Sequence, residues 1–555
     1  MAWPAYWLRY AWWWLGRLLR LRRRLSPWVA FLLESPLDDL PAPRGPRWRR
    51  LLGRPAPSFR DLAAQLRAVA AERRVKGVVL HLRPVSMTAA QADALAGLVR
   101  EVRASGKRVV CWAGAGYTAA TYRLACAADE ALIQPGAGLA PLGLSRTYAF
   151  LADALGRFGV SGDFVQVSPY KTAADTLTRS ESSAEGREMA AWLADAAFAD
   201  TVAAISLGRD LEPATARRLV DATPCTDLEA VEMGAVDGII SEEDLPARLG
   251  AEVRHWHQVR RAVLRPAPVR PGRVVGVIRV EGTIVDGRNR RPPVAPPLPV
   301  PLLLDPQCGD LSVVAQARRL AADRRVAAVV LWIDSRGGSA TASEAMASAL
   351  QALAKRKPLV AVMGSVAASG GYYVATPARR ILAQSGTLTG SIGVLSGKMV
   401  AGGLMDLLLI RRESVGRGQG AEMFGPDKPF TEVERERLRA MIGRSYDLFL
   451  ERVAAARGRS RTEIEAMAGG RVWTGRQALE RGLVDEIGGF DRGLELAREL
   501  GGLPPLAPFR MAPEGGAPAP PRDVLSPAAG LAAHALTTLA AINRAGAWYL
   551  CPWLD

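Results

Sequence analysis

An α/β fold built twice in tandem is the architecture this sequence predicts. Two observations carry it. Segments 250 residues apart match along much of the chain, and each half alternates short β-branched runs with helical stretches. Continuous apolar strands separated by helices are the pattern of a parallel sheet covered on both faces. The 555-residue length leaves room for this, since about 150 residues per domain suggests three or four units. With 49% hydrophobic and 23% charged residues, the composition excludes global disorder.

The repeat is read most directly at the second strand of each half. Lys107-Arg-Val-Val-Cys-Trp-Ala-Gly114 lies against Lys357-Pro-Leu-Val-Ala-Val-Met-Gly364. The offset persists through Tyr122/Tyr372, Ala125/Ala375, Gln134/Gln384, Gly136/Gly386, Gly143/Gly393 and Val165/Val415. Upstream it drifts by one, pairing Arg74-Val75 with Arg325-Val326. Each half is expected to open with a helix and a strand (Val75–Leu82; Val326–Ile333). A second helix (Thr88–Ala104; Ala340–Lys355) and a second buried strand (Arg108–Trp112; Leu359–Met363) follow. The second half has an extra leading strand, Val274–Glu281. Residues 251–273, rich in Arg and Pro, read as a linker, and the Pro-rich stretch 288–306 as a surface loop.

The ends differ from the body. Trp3, Trp7, Trp12, Trp13 and Trp14 precede Arg17, Arg20, Arg22, Arg23 and Arg24. The uncharged runs are shorter than the about 20 residues a membrane span needs. A clean apolar core and a cleavage site for a signal peptide are also missing. Tryptophan beside arginine suits the lipid headgroup zone, so residues 1–54 read as a membrane-associating arm. Twelve Arg against three acidic residues in positions 1–60 place much of the net charge of +17 there. The charge is thus local, which argues against a nucleic-acid groove. Because the Arg cluster follows the Trp-rich part, a spanning Trp segment would put the body in the cytoplasm. Residues 501–555 form a Pro/Ala-rich apolar tail, with a linker over 511–523. Residues 526–553 then read either as a terminal helix or as a second membrane contact. The five cysteines (111, 126, 225, 308, 551) lack ligand or disulfide spacing.

Comparison of the two halves locates the chemistry. After its first strand the second half has Ile333-Asp-Ser-Arg-Gly-Gly-Ser339, where the first has Leu82-Arg-Pro-Val-Ser-Met-Thr88. After the next strand it has Gly364-Ser-Val-Ala-Ala-Ser369-Gly-Gly-Tyr-Tyr373, and Ser369 falls opposite Ala119. In reverse, the first half has Ser168-Pro-Tyr-Lys171, and Lys171 falls opposite Ala421. One half keeps a serine, the other a lysine. A single site drawing on both explains this complementarity.

A serine hydroxyl is a weak nucleophile and needs a base. The four histidines (81, 255, 257, 534) sit in no matching motif, which favours a Ser-Lys pair over a histidine triad. The lysine must then be neutral, its pKa brought down from about 10.4 by burial. Backbone N–H groups of Gly337, Gly338 and Gly370 are the candidate oxyanion hole. Glycine there lets a carbonyl approach closely.

At these residues the chain resembles the signal peptide peptidase A family of the long, duplicated bacterial type, peptidase family S49. The motifs are Val277-Ile-Arg-Val-Glu-Gly-Thr-Ile284, Asp334-Ser-Arg-Gly-Gly-Ser339, Thr341-Ala-Ser-Glu344 and Ala368-Ser-Gly-Gly-Tyr-Tyr373. They continue with Gly386-Thr-Leu-Thr-Gly-Ser-Ile-Gly393, Gly470-Arg-Val-Trp-Thr-Gly475 and Ala478-Leu-Glu-Arg-Gly-Leu-Val-Asp485.

The resemblance implies a tandem duplication of a Clp-protease/crotonase-like β-β-α superhelical domain. It implies Ser369 as nucleophile, Lys171 as base, and Ser391 as a residue that positions the lysine. It also implies hydrolysis of membrane-derived peptides, including signal-peptide remnants, at the bacterial inner membrane. No metal or cofactor and a homotetramer are implied as well. Arg336 departs from the family's usual proline and adds a charge near the cleft. The expected domains are 55–250, supplying Lys171, and 274–500, supplying Ser369. Two rival readings are a crotonase-like acyl-CoA enzyme and a catalytically decayed membrane scaffold.

Overall fold

The computed structural model describes residues 2–21, 25–34, 37–41, 58–83, 85–263, 272–291, 305–513 and 548–550. The chain divides into two compact units, residues 1–145 with 194–272, and residues 146–193 with 273–555. The division departs from the repeat. Residues 146–193, expected within the 55–250 domain, fold with the second unit.

The first unit contains a six-stranded parallel sheet. Its order is Gly238–Ile239, Glu130–Ile133, Arg108–Ala113, Gly77–Leu82, Trp28–Leu33 and Val253–His255. The central strands are apolar on both faces because both are covered. Val78, Leu80 and Leu82 enter one core, and Val79 the other. Each such side chain contributes about 1.5–3 kcal/mol on burial. The helix Ala89–Ala104 starts as its sequence predicts, on Thr88, which exchanges hydrogen bonds with Gln91 in a capping box.

Trp28–Leu33, expected within the basic arm, is a strand of this sheet and is buried at every position but Leu32. Six apolar residues are too few for a membrane segment and suit a covered parallel strand. The leading strand of the second half is therefore not extra. The first half has its counterpart here.

The second unit repeats the same order. Glu486–Ile487, Arg380–Ala383, Leu359–Ala368, Val326–Ser339, Val274–Val285 and Phe509–Met511 are paired in parallel. Three of these strands run on past the ends that the sequence predicts. Their extensions carry a further layer in the same twelve-stranded sheet: Leu388–Gly390, Val472–Thr474, Gln307–Gly309, Trp548–Leu550, Leu395–Val400 and Ser161–Gln166. In the first unit the corresponding strands stop at Leu82 and Ala113.

An ion pair, largely buried in the second unit and more open in the first, is duplicated along with the strands. In the second unit Arg457 donates to both oxygens of Asp485 at 2.7 and 3.2 Å, and the Ile381 N–H donates at 2.7 Å. In the first unit Arg209 donates to Asp237 at 2.8 and 2.8 Å, and the Ala131 N–H at 2.7 Å. Burial pushes each carboxyl up, but the arginine and backbone hydrogen bonds outweigh it and hold both below the usual carboxylate range.

Asp485→Asn is expected to destabilise the protein by about 3 kcal/mol, because Arg457 stays buried without its charge partner. A carboxyl whose folded pKa is depressed contributes stability above its unfolded pKa of about 3.9, and that stability is lost as pH falls through the folded value. The wild-type advantage in urea unfolding should therefore be full at neutral pH and shrink below about pH 4. An advantage that holds constant into acid would rule the ion pair out as its source.

The amino-terminal helix, Ala2–Leu21, exposes Trp7, Leu8, Trp12, Trp14 and Leu15. Among the described residues one helix, Ala184–Arg209, is long and apolar enough to cross a membrane. It buries Met189, Leu193, Val202 and Ile205 in protein cores. Most of the expected tail segments, 511–523 and 526–553, lie outside the described residues.

Candidate active site

The site lies within the second unit, where its extended strands end. Leu359–Ala368 delivers Ser369 to a sharp strand-to-helix turn ahead of Gly370–Ala375. Ser369 adopts φ +56° and ψ −116°, and its N–H donates to the Gly390 carbonyl at 2.7 Å. A non-glycine residue at positive φ is strained. The turn holds it because Gly370 and Gly371 admit close packing. A Cβ on Gly370 would lie 2.7 Å from Ser343 Oγ, and one on Gly371 would lie 2.6 Å from the Ser335 carbonyl oxygen.

Lys171 arrives from the opposite direction. The strand Ser161–Gln166 pairs antiparallel with Leu395–Val400, and the loop after it turns Lys171 inward. The side chain is fully buried. Its Nζ lies 2.6 Å from Ser369 Oγ, 3.0 Å from Ser391 Oγ and 2.9 Å from the Ser391 carbonyl oxygen. These three partners are uncharged oxygens. Ser391 is itself buried at φ +52°, with its N–H on the Arg471 carbonyl at 2.6 Å.

The expected oxyanion residues are brought together, with one distinction. The Gly337 N–H donates to Ser335 Oγ at 3.1 Å, so it is committed to its own strand. A Cβ on Gly370 would lie 3.3 Å from Gly338 N, which places these two backbones side by side. Gly370 opens a helix, so its N–H has no intrahelical acceptor. Gly338 and Gly370 are therefore the better-placed pair. Arg336 sits in the bulge before them, and strand pairing resumes at Gly337 without the family's proline. Gly337 and Gly338 take φ of +100° and +154°.

Several supporting residues escape a reading based on the nucleophile alone. Ser335 donates to the Gly282 carbonyl at 2.6 Å while accepting from Gly337. Asp286 accepts from Ser339 at 2.6 Å and from Thr341 at 3.0 Å, tying the glycine strand to the helix that follows. Gly469–Arg471 clamps both partners of the serine. The Gly469 carbonyl accepts from Tyr170 N–H at 3.0 Å, and the Arg471 carbonyl from Ser391 N–H. Gly470 lies against the lysine loop itself, since a Cβ there would meet Lys171 N at 2.4 Å. The signal for this clamp was the motif beginning at Gly470, whose geometry no spacing rule foretells.

The segment at offset 250 from the lysine strand has a different fate. Val165 is 5% exposed, whereas Val415 is 79% exposed and lies in no strand. Loss of that pairing accompanies the replacement of lysine by Ala421.

With this geometry in place, comparison with known proteins decides the family. The model of peptidase family S49 matches residues 101–254 and 351–503, which is more than half of the chain. This chain belongs to peptidase family S49. The two S49 matches begin 250 residues apart, the same offset that relates the halves. A chloroplast serine protease SPPA of Arabidopsis thaliana is 28% identical over 467 residues, covering 80% of this S49 chain and 66% of the plant protein. Protease 4 of Haemophilus influenzae is 27% identical over 463 residues, covering 79% and 72%. Protease 4 of Salmonella typhi is 28% identical over 467 residues, covering 80% and 72%.

Proposed function

We propose that this S49 chain is a serine endopeptidase in which Ser369 attacks the peptide carbonyl and Lys171 is the general base. The observation that carries the reading is the 2.6 Å contact between Lys171 Nζ and Ser369 Oγ in a buried site. A base must be a neutral amine, and full burial of a lysine is the condition that favours that form. As Oγ bonds to the carbonyl carbon, its proton passes to Nζ. The carbonyl oxygen takes up the negative charge and accepts from the N–H groups of Gly338 and Gly370. The resulting ammonium then protonates the leaving amine, and an acyl group remains on Ser369. Lys171 next accepts a proton from water as its oxygen bonds to the acyl carbon, and the ammonium returns that proton to Oγ as the Oγ–carbon bond breaks, freeing the acid and restoring the dyad. Ser391 keeps Nζ on line through both halves.

The repeated strand order fits a duplicated Clp-protease/crotonase-like fold. The substrates we propose are membrane-derived peptides, signal-peptide remnants among them, met at a lipid surface. The exposed Trp7, Trp12 and Trp14 support attachment there. Assembly into a homotetramer belongs to the same proposal, as does a reaction that needs no metal or cofactor.

A fluorophosphonate probe tests the nucleophile. It is expected to modify Ser369, located by peptide mass spectrometry, and to leave the Ser369→Ala protein unmodified. Modification of another serine, or of none in the folded protein, overturns the assignment.

A further inference from the structure

The layer that bears the active site contains a strand from the far end of the chain. Trp548–Leu550 lies between the glycine strand and Leu395–Val400. It runs antiparallel to both, with Gly337 opposite Leu550, Gly338 opposite Tyr549, and Ser339 and Leu395 opposite Trp548. Its neighbours are functional ones. Gly338 is an oxyanion candidate, and Leu395 follows four residues after Ser391, which holds the lysine.

Two facing strand edges next to a nucleophile are what an extended peptide needs, since main-chain hydrogen bonds supply affinity without requiring one sequence. Here the edges are satisfied by the chain's own residues. We infer that Trp548–Leu550 is an internal occupant of the substrate channel, held in the position and direction that a peptide substrate takes. This rests on the peptidase reading above and adds that the enzyme is restrained by its own carboxyl-terminal segment. A tethered strand competes at an effective concentration on the order of millimolar. Only a peptide that is locally concentrated or tightly bound displaces it. The segment's composition suits that role, because Gly546-Ala-Trp-Tyr-Leu-Cys-Pro-Trp553 carries no charge, as an apolar membrane-derived peptide would not.

The test uses the full chain with Tyr549→Pro, which removes a backbone donor and disfavours a central strand. Fluorophosphonate modification of Ser369 is expected to be about tenfold faster in this variant. A synthetic peptide of residues 546–553 added in trans should slow it again. Equal rates in variant and wild type overturn the inference and leave the nucleophile assignment standing.

A second measurement is independent of catalysis. The same peptide, bearing a fluorophore, should bind the Tyr549→Pro protein saturably by anisotropy, and bind wild type at least tenfold more weakly. Absence of that difference overturns the inference even if Ser369 proves unreactive.

Discussion

Lys171→Met is expected to abolish peptide hydrolysis, by about 10⁴-fold or more, while the protein remains folded. Methionine fills much the same buried volume, so the cavity persists in shape. What is lost is the amine that stands 2.6 Å from Ser369 Oγ, placed to take its proton. Some stability is lost as well, about 1–3 kcal/mol, because Ser391 Oγ and the Ser391 carbonyl lose their buried donor. Initial rates on a fluorogenic apolar peptide, with thermal unfolding measured alongside, separate the two effects. A variant that remains folded at the assay temperature and loses turnover identifies the base. Undiminished hydrolysis would place the base elsewhere and leave Lys171 as packing alone.

Gly470→Ala is expected to lower kcat by about 100-fold with little change in KM. The added methyl would stand 2.4 Å from Lys171 N and 2.6 Å from the Tyr170 carbonyl carbon, and the residue has φ +88°. The loop bearing the lysine must withdraw, and a displacement of about 1 Å in a reacting group costs on that scale. Gly470 touches no reacting atom, so the split between kcat and KM is the informative readout. A decrease in kcat/KM carried by KM alone would mean that the clamp shapes peptide binding and leaves the dyad aligned. Gly482→Ala, at φ +68° and opposed only by the mobile tip of Arg459, offers a comparison for backbone strain far from the lysine.

Much of this was legible in the sequence, for identifiable reasons. Strand positions followed from β-branched runs such as Val326–Ile333, because a strand covered on both faces has no polar alternation to disguise it. The pair we propose as nucleophile and base was found by a subtraction between halves, Ser369 against Ala119 and Lys171 against Ala421, and the two side chains lie 2.6 Å apart. That works because a duplicated fold keeps packing residues in both copies and chemistry in one.

The strand extensions were not legible. The expected strand ends at Ile333, ahead of Gly337 and Gly338, yet pairing resumes across a bulge through Gly338. Gly364 likewise lies within a strand that runs on to Ala368. Glycine signals a break in local rules, whereas here partners distant in sequence impose extension. Trp28–Leu33 was hidden by its neighbours, since an apolar run beside a Trp- and Arg-rich segment invites a membrane reading. The commitment of the Gly337 N–H to Ser335 depends on the direction of a single backbone amide, which residue identity does not encode.

The sequence distance between the proposed nucleophile and the proposed base has a consequence for the protein's synthesis. The two residues are 198 positions apart, with the lysine made first. A ribosome adding about 5–20 residues per second produces Ser369 roughly ten to forty seconds after Lys171. The growing polypeptide therefore carries a lysine without a serine to activate for that whole interval. When the serine does emerge, Leu395–Val400, which seats the lysine strand, has still to follow. If this pair is the dyad we propose, the enzyme cannot act on nascent chains around it, its own included, until the residues through Val400 have also been made.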